Sequence, residues 1–186
     1  LVRNGSYLAV VAKDEWQAVK AMREGYASAR WTEGNALPDE KHIHELLTRL
    51  PKKHYPVGSK GSLEAPSAKA YRARVTKQYL MHGSIGPSCS VAWYKDDLLT
   101  VWTHTQGVYP LRAGIAEMLG LSVTKVRCIH VEGSGCYGHN GADDAAADAA
   151  LVAMALPGQP VRVQWMREQE NLWEPYSSAM ISEVQA

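Results

Sequence analysis

The chain has 186 residues, 46% of them apolar and 21% charged, with a net charge of +1. That length suits one ordinary domain or one and a half small ones, and a balanced charge without a basic stripe or charge block argues against nucleic acid as a partner. No apolar run approaches the roughly 20 residues of a bilayer span, and the three scattered cysteines (Cys89, Cys128, Cys136), with no CxxC pair, speak against a disulfide framework or a structural zinc site.

In chain order, Ser6–Ala12 reads as a strand. Asp14 then caps a helix, with Gln17 as its capping-box partner, that runs to about Glu24 before Gly25. Ala29–Trp31 is the expected returning strand of a small β-α-β unit. Residues 32–67, rich in Pro and Gly, hold one short helix, Asp39–Leu50, with Ile43, Leu46, Leu47 and Leu50 on one face, and form the expected domain boundary. The alternating run Tyr71–Lys77 reads as a half-buried strand. Ser90–Tyr94 and Leu98–Trp102, flanking Lys95-Asp96-Asp97, read as a β-hairpin. Pro110 opens a helix stopped by Gly120. Val126–Val131 reads as a buried strand, Ala142–Leu156 as a helix, and Pro157-Gly158 as a turn into the strand Val161–Trp165. Strands and helices mix without strict alternation, so the fold class is α+β rather than a doubly wound sheet. The chain opens with Leu1 and Ser178–Gln185 reads as a strand cut off mid-sheet, so a piece of a longer polypeptide is expected.

The function is to be sought in Glu132–Asp144. Four glycines in nine positions, between a strand and a helix, make a loop whose N–H groups can approach a ligand without Cβ atoms in the way. The helix start adds unpaired donors and partial positive charge, so the natural guest is an anion. Gly133-x-Gly135-x-x-Gly138 also matches a dinucleotide fingerprint, with Glu168 as the candidate ribose-binding acid. Its distance of 30 residues from Gly138 exceeds the roughly 20 expected, and no second βαβ half follows. A nicotinamide-dependent oxidoreductase and a non-catalytic nucleotide or pterin module are the rival readings. A glycine-rich turn that binds nothing, with Asn140 or Asp143 as helix cap, is the plainest. His139 and Asp143 at i, i+4 supply only two metal ligands, and Ser134 lacks a GxSxG elbow.

Glu132–Asp144 followed by Pro160–Glu168 resembles the large-subunit signature of the xanthine oxidase family of molybdenum hydroxylases. The wording Gly-Cys-Tyr-Gly-His-Asn-Gly-Ala-Asp-Asp is similar to the branch of the isoquinoline 1-oxidoreductase beta subunit and its nicotinate and aldehyde dehydrogenase relatives. His82–Cys89 and Val101–Gly107 fit that branch in the same order. The resemblance implies the end of an α/β hammerhead domain (residues 1–33), a linker with a short helix (34–67) and the first part of a molybdopterin-binding domain (68–186). It implies a molybdenum–molybdopterin cofactor, in the cytosine dinucleotide form, lying against Gly133, Ser134, Gly135, Cys136, Tyr137, Gly138 and His139. No protein side chain ligates the metal. Gln106 matches the glutamine that hydrogen-bonds an oxo ligand of molybdenum, and Cys136 stands where many members carry Phe. Asn140 stands where xanthine-oxidising members have a glutamate, and an amide cannot carry charge or act as a base. The implied reaction is oxidation of a neutral N-heteroaromatic compound or an aldehyde with water as oxygen source. Electrons would leave through iron–sulfur clusters on a 2Fe–2S small subunit, with a c-type cytochrome as a further candidate partner. The general base is expected beyond Ala186, so the isolated piece is expected to be inactive.

Overall fold

The computed structural model describes residues 1–32, 34–61, 69–139 and 144–186, and the Asn140 and Asp143 of the sequence reading lie outside them. Two compact units are present: Leu1–Thr32 with Met81–Pro175, and Glu33–Leu80 with Tyr176–Ala186.

The first unit is built on a four-stranded sheet. Cys89–Lys95 (β4) and Leu98–Thr103 (β5) form the expected hairpin, with Lys95 opposite Leu98. Only Asp96 and Asp97 are left for the turn, and both have positive φ, 50° and 62°. That is the backbone of a type I′ turn, whose twist matches that of the strands it joins. Val108–Leu119 (α3) follows, ended by Gly120 at φ 65°. The chain returns as Val126–His130 (β6), parallel to β5. Asp144–Ala155 (α4) and Pro160–Gln164 (β7) come next, β7 antiparallel to β4, so the sheet order is β6-β5-β4-β7.

This topology removes the dinucleotide reading. The strand after the glycine loop and α4 joins the far edge of the sheet and runs antiparallel to its neighbour. β7 runs in the same direction as β6, but β5 and the antiparallel β4 lie between them, so β6-loop-α4-β7 is not the βαβ unit of an all-parallel sheet that the fingerprint requires. The sheet edge also leaves β6 less covered than its apolar sequence suggests, with Val126 alone of its residues fully buried. The core lies between the sheet and α4: Ala146, Ala149, Ala150, Val152 and Ala153 pack on Ala92, Leu99, Val101 and Val161. Alanines let the helix axis approach the sheet closely, so the burial comes from backbone proximity more than from side-chain volume.

Two shorter pieces depart from expectation. Val2–Asn4 (β1) and Tyr7–Ala9 (β2) form a hairpin of their own. Glu15–Ser28 (α1) is capped by Asp14, whose carboxylate accepts from Gln17 N at 2.9 Å. It continues through Gly25, a local cost of about 1 kcal/mol, and Ala29–Trp31 pairs with no strand. The first segment is thus a hairpin and a helix, not β-α-β. Beyond β7, Arg167–Trp173 forms a short helix (α5) that the sequence reading did not include.

In the second unit, Arg72–Lys77 (β3) pairs antiparallel with Met180–Gln185 (β8). Ile43–Arg49 (α2) follows a 3-10 turn at Glu40–His42 and buries Ile43. His44 Nε2 lies 3.1 Å from the Lys77 carbonyl. Five of the six β3 residues are exposed, so its alternation does not make a half-buried strand in this chain. No helix among the described residues is long and apolar enough to cross a membrane.

Candidate functional site

β5 and β6 run parallel, so the loops that follow them leave the same edge of the sheet. Val131 N donates to Thr103 O at 2.9 Å and carries the pairing past the strand ends. His104, Thr105 and Gln106 emerge from β5, while His130 and the glycine loop emerge from β6. They enclose an open cavity of about 540 Å³ lined by His104, Thr105, Gln106, Val108, His130, Gly133, Gly135 and Cys136. A crevice beyond the carboxyl ends of parallel strands is where open sheets bind ligands.

The cavity walls are held from behind. His130 Nδ1 sits 2.9 Å from Thr105 O, and Cys89 N donates to His104 Nε2 at 3.2 Å. The His104 side chain lies close against the loop: a Cβ on Gly133 would lie 2.7 Å from His104 Cβ. Gly135 has φ +92°, where a side chain is strained, and a Cβ there would meet the Tyr137 ring at 3.2 Å. Gly133, Gly135 and Gln106 are all exposed, so their polar groups face whatever fills the cavity. An exposed amide and glycine N–H groups, with no carboxylate among the described lining residues, make a donor set suited to an oxygen-rich or anionic guest.

The structure brings Gln106, Gly133, Gly135 and Cys136 together at this cavity; Ser134, Tyr137, Gly138 and His139 do not line it. Ser134 instead anchors the loop. Its hydroxyl accepts from Gly86 N at 2.9 Å and donates to Gly86 O at 3.1 Å. Ser134→Ala is expected to cost about 0.5–1.5 kcal/mol in denaturant unfolding without loss of bound cofactor from the full-length enzyme. Tyr137 takes a left-handed φ of 52° and is exposed. Gly138, at φ +105°, faces the His82 ring, which a Cβ would meet at 3.2 Å. His139 turns inward and is 1% exposed, stacked on His82 with ring centroids 6.0 Å apart.

Around His139 lie residues that the sequence reading missed. Glu170 on α5 and Glu174, the residue that caps its C-terminus, are 0% and 4% exposed. Glu170 accepts from Ser88 N at 2.7 Å and from Ser88 Oγ at 3.0 Å, and Glu174 accepts from His82 N. The available signal was the spacing of two glutamates right after the Pro160–Glu168 motif. It reads equally well as a solvated helix face.

Cys89 lines a second cavity, with Trp93 and Trp102, on the sheet. Burial pushes its thiol above the ordinary value, with Arg162 opposing and Glu15 adding to the rise. Less thiolate is then present at any given pH. Iodoacetamide is expected to modify Cys89 more slowly than a free cysteine at neutral pH. Its rate should rise with pH only beyond the ordinary thiol range; alkylation at the free-cysteine rate would contradict the burial.

A mixed α+β unit with a glycine-lined crevice at the strand ends has the form expected of a cofactor-binding domain. Residues 45–186 match the molybdopterin cofactor-binding domain family, and the chain belongs to that family. It is 37% identical over 182 residues to a nicotinate dehydrogenase subunit of Pseudomonas putida, an alignment covering 96% of this chain and 15% of that protein. The chain therefore spans a small part of that relative. Its fold is similar to that of aldehyde oxidoreductase from Desulfovibrio gigas (TM-score 0.59, 21% identity, 65% of this chain and 13% of that one). Quinoline 2-oxidoreductase from Pseudomonas putida 86 is comparable (TM-score 0.57, 21% identity, 65% and 16%).

Proposed function

We propose that the loops after β5 and β6 hold a molybdenum–pterin cofactor in an enzyme that oxidises a neutral N-heteroaromatic compound or an aldehyde, with water as oxygen source. The observation that carries this reading is the meeting of Gln106 with Gly133, Gly135 and Cys136 around one cavity. The name of the nicotinate dehydrogenase relative supports the heteroaromatic class.

When bound, the cofactor supplies the two-electron redox centre. The chain supplies its surroundings. Gln106 would offer an amide N–H to an oxo ligand, and the glycine N–H groups would meet the pterin or its phosphates. Cys136 would border the metal with a small polarizable side chain. Ser134, Tyr137, Gly138 and His139 act by shaping the loop. Asn140, next in sequence, offers substrate an uncharged amide in place of a glutamate. The cofactor is the cytosine dinucleotide form, and electrons leave to a 2Fe–2S small subunit, with a c-type cytochrome as a further partner. Residues 1–33 form the end of a hammerhead domain, 34–67 a linker and 68–186 the first part of the cofactor domain. The general base lies on chain beyond Ala186.

Metal and nucleotide analysis of the full-length enzyme tests the reading. Molybdenum and released cytosine nucleotide are expected, and bound NAD without molybdenum would overturn it. The 186-residue piece alone is expected to turn over neither N-heterocycles nor aldehydes. Measurable turnover by the piece would show that the base lies within it.

A further inference from the structure

The buried cluster of His139, Glu170 and Glu174 does not line the cofactor cavity, and its charges are unbalanced. Two carboxylates are taken out of water, which costs several kcal/mol per ion unless they are compensated. The ion pairs of the described residues give neither of them a lysine or arginine. Arg167, the nearest guanidinium in sequence, is spent on the carbonyls of Ser84 and Ile85, at 2.7 Å each. Among the described residues, the cations paired with these carboxylates are the imidazoles of His82 and His139.

The geometry of those imidazoles is not that of hydrogen-bonded ion pairs. His139 Nδ1 lies 2.9 Å from Glu170 Oε1 but out of line for a hydrogen bond, so the atom has no partner. Glu174 Oε2 is also buried without a partner and lies 3.9 Å from the same Nδ1, too far for a hydrogen bond. His82 Nδ1, 3.7 Å from Glu174 Oε1, is a third buried atom without one. Buried polar atoms of native proteins are almost always paired, so three in one cluster call for a ligand.

The distances say which ligand. One atom each from His139, Glu170 and Glu174 lie within 4.8 Å of one another. Ligands held at about 2.0–2.2 Å from a shared ion stand roughly 3–4 Å apart, and His139 Nδ1 lies 2.9 Å from Glu170 Oε1 and 3.9 Å from Glu174 Oε2. One imidazole nitrogen and two carboxylate oxygens suit a divalent first-row ion such as Zn²⁺ or Mn²⁺. Its two positive charges balance the two glutamates. Ser88 supplies the outer support, since its N–H and hydroxyl fix the Glu170 carboxylate, as second-shell donors do in metal sites.

We propose that His139, Glu170 and Glu174 bind a divalent transition-metal ion, with His82 at its border, that ties the end of the glycine loop to α5. Such an ion would set the position of Gly138 and His139, and through them of the loop that leads back to the cavity.

The test uses the full-length enzyme, stripped with a chelator and reloaded with Zn²⁺ alone or Mn²⁺ alone. One divalent ion per chain is expected in addition to molybdenum and iron, with a higher melting midpoint than the stripped protein. Pulsed electron paramagnetic resonance of the Mn²⁺ form, in oxidised enzyme, should show nitrogen coupling from imidazole. Ser88→Ala should weaken binding by about ten- to a hundredfold, and Glu174→Gln should abolish it. If Glu174→Gln does not fold, the wild-type loading and the Ser88→Ala affinity still decide the matter. Failure of the wild type to take up either ion at millimolar concentration overturns the proposal. An ion without nitrogen coupling, or one indifferent to Ser88→Ala, overturns it equally.

Discussion

Gly135→Val is expected to leave the full-length enzyme folded but without its molybdenum cofactor. The backbone at Gly135 has φ +92°, a conformation that costs a residue with a side chain about 1–3 kcal/mol and a β-branched one more. The added side chain would meet the Tyr137 ring, which is exposed and can swing away. The strain therefore falls on the loop rather than on the core, and the loop gives way by changing the direction of its N–H groups. Those groups are what the cavity offers a guest, so retention fails while the sheet and α4 stay intact. Metal analysis and pterin fluorescence after denaturation measure the loss, and a thermal melt separates it from unfolding. Full cofactor content in a folded Gly135→Val enzyme would remove the cradle from the mechanism. Gly138→Val is a different experiment, because its side chain would push on His82 and disturb the buried glutamate cluster as well.

Gln106→Ala is expected to lower turnover by about one to two decades while molybdenum content stays near wild type. A hydrogen bond to a charged group contributes about 1.5–3 kcal/mol, which is that change in rate if the bond acts only in the transition state. The side chain is exposed at the cavity, so its removal leaves no hole in the core and little cost in stability. Steady-state kinetics normalised to molybdenum check it. Wild-type kinetics in the metal-replete variant would take Gln106 out of the site.

Much of the local structure was legible because its causes are local. Asp14 caps α1 through its own carboxylate, Gly120 ends α3 in the left-handed region, and Asp96-Asp97 turns the β4–β5 hairpin. In each case the residue type and its immediate neighbours determine the backbone. The glycine loop was legible for the same reason, and the motif resemblance carried it to a family. Where local signals stood alone they failed. Ala29–Trp31 has no strand to pair with, and Gly25 sits inside a helix that continues to Ser28. The Arg167–Trp173 helix is seven residues long, too short for its periodicity to be read.

The sequence by itself determined the α+β class, the hairpin and the position of the glycine-rich loop, because capping, turn geometry and side-chain period act over a few residues. Only the tertiary structure decided that β7 joins the far edge of the sheet, since alternation tells which face of a strand is buried and never which strand lies beside it. It also decided what each glycine is for: Gly133 makes room for the His104 ring and Gly138 for the His82 ring, while Gly135 holds a left-handed φ. The gathering of His82, Ser88, His139, Glu170 and Glu174 spans more than ninety residues of chain, from His82 to Glu174. No local pattern marks it. A polar side chain's partner is selected by the packing that excludes water from both, and that packing exists only once the chain is folded.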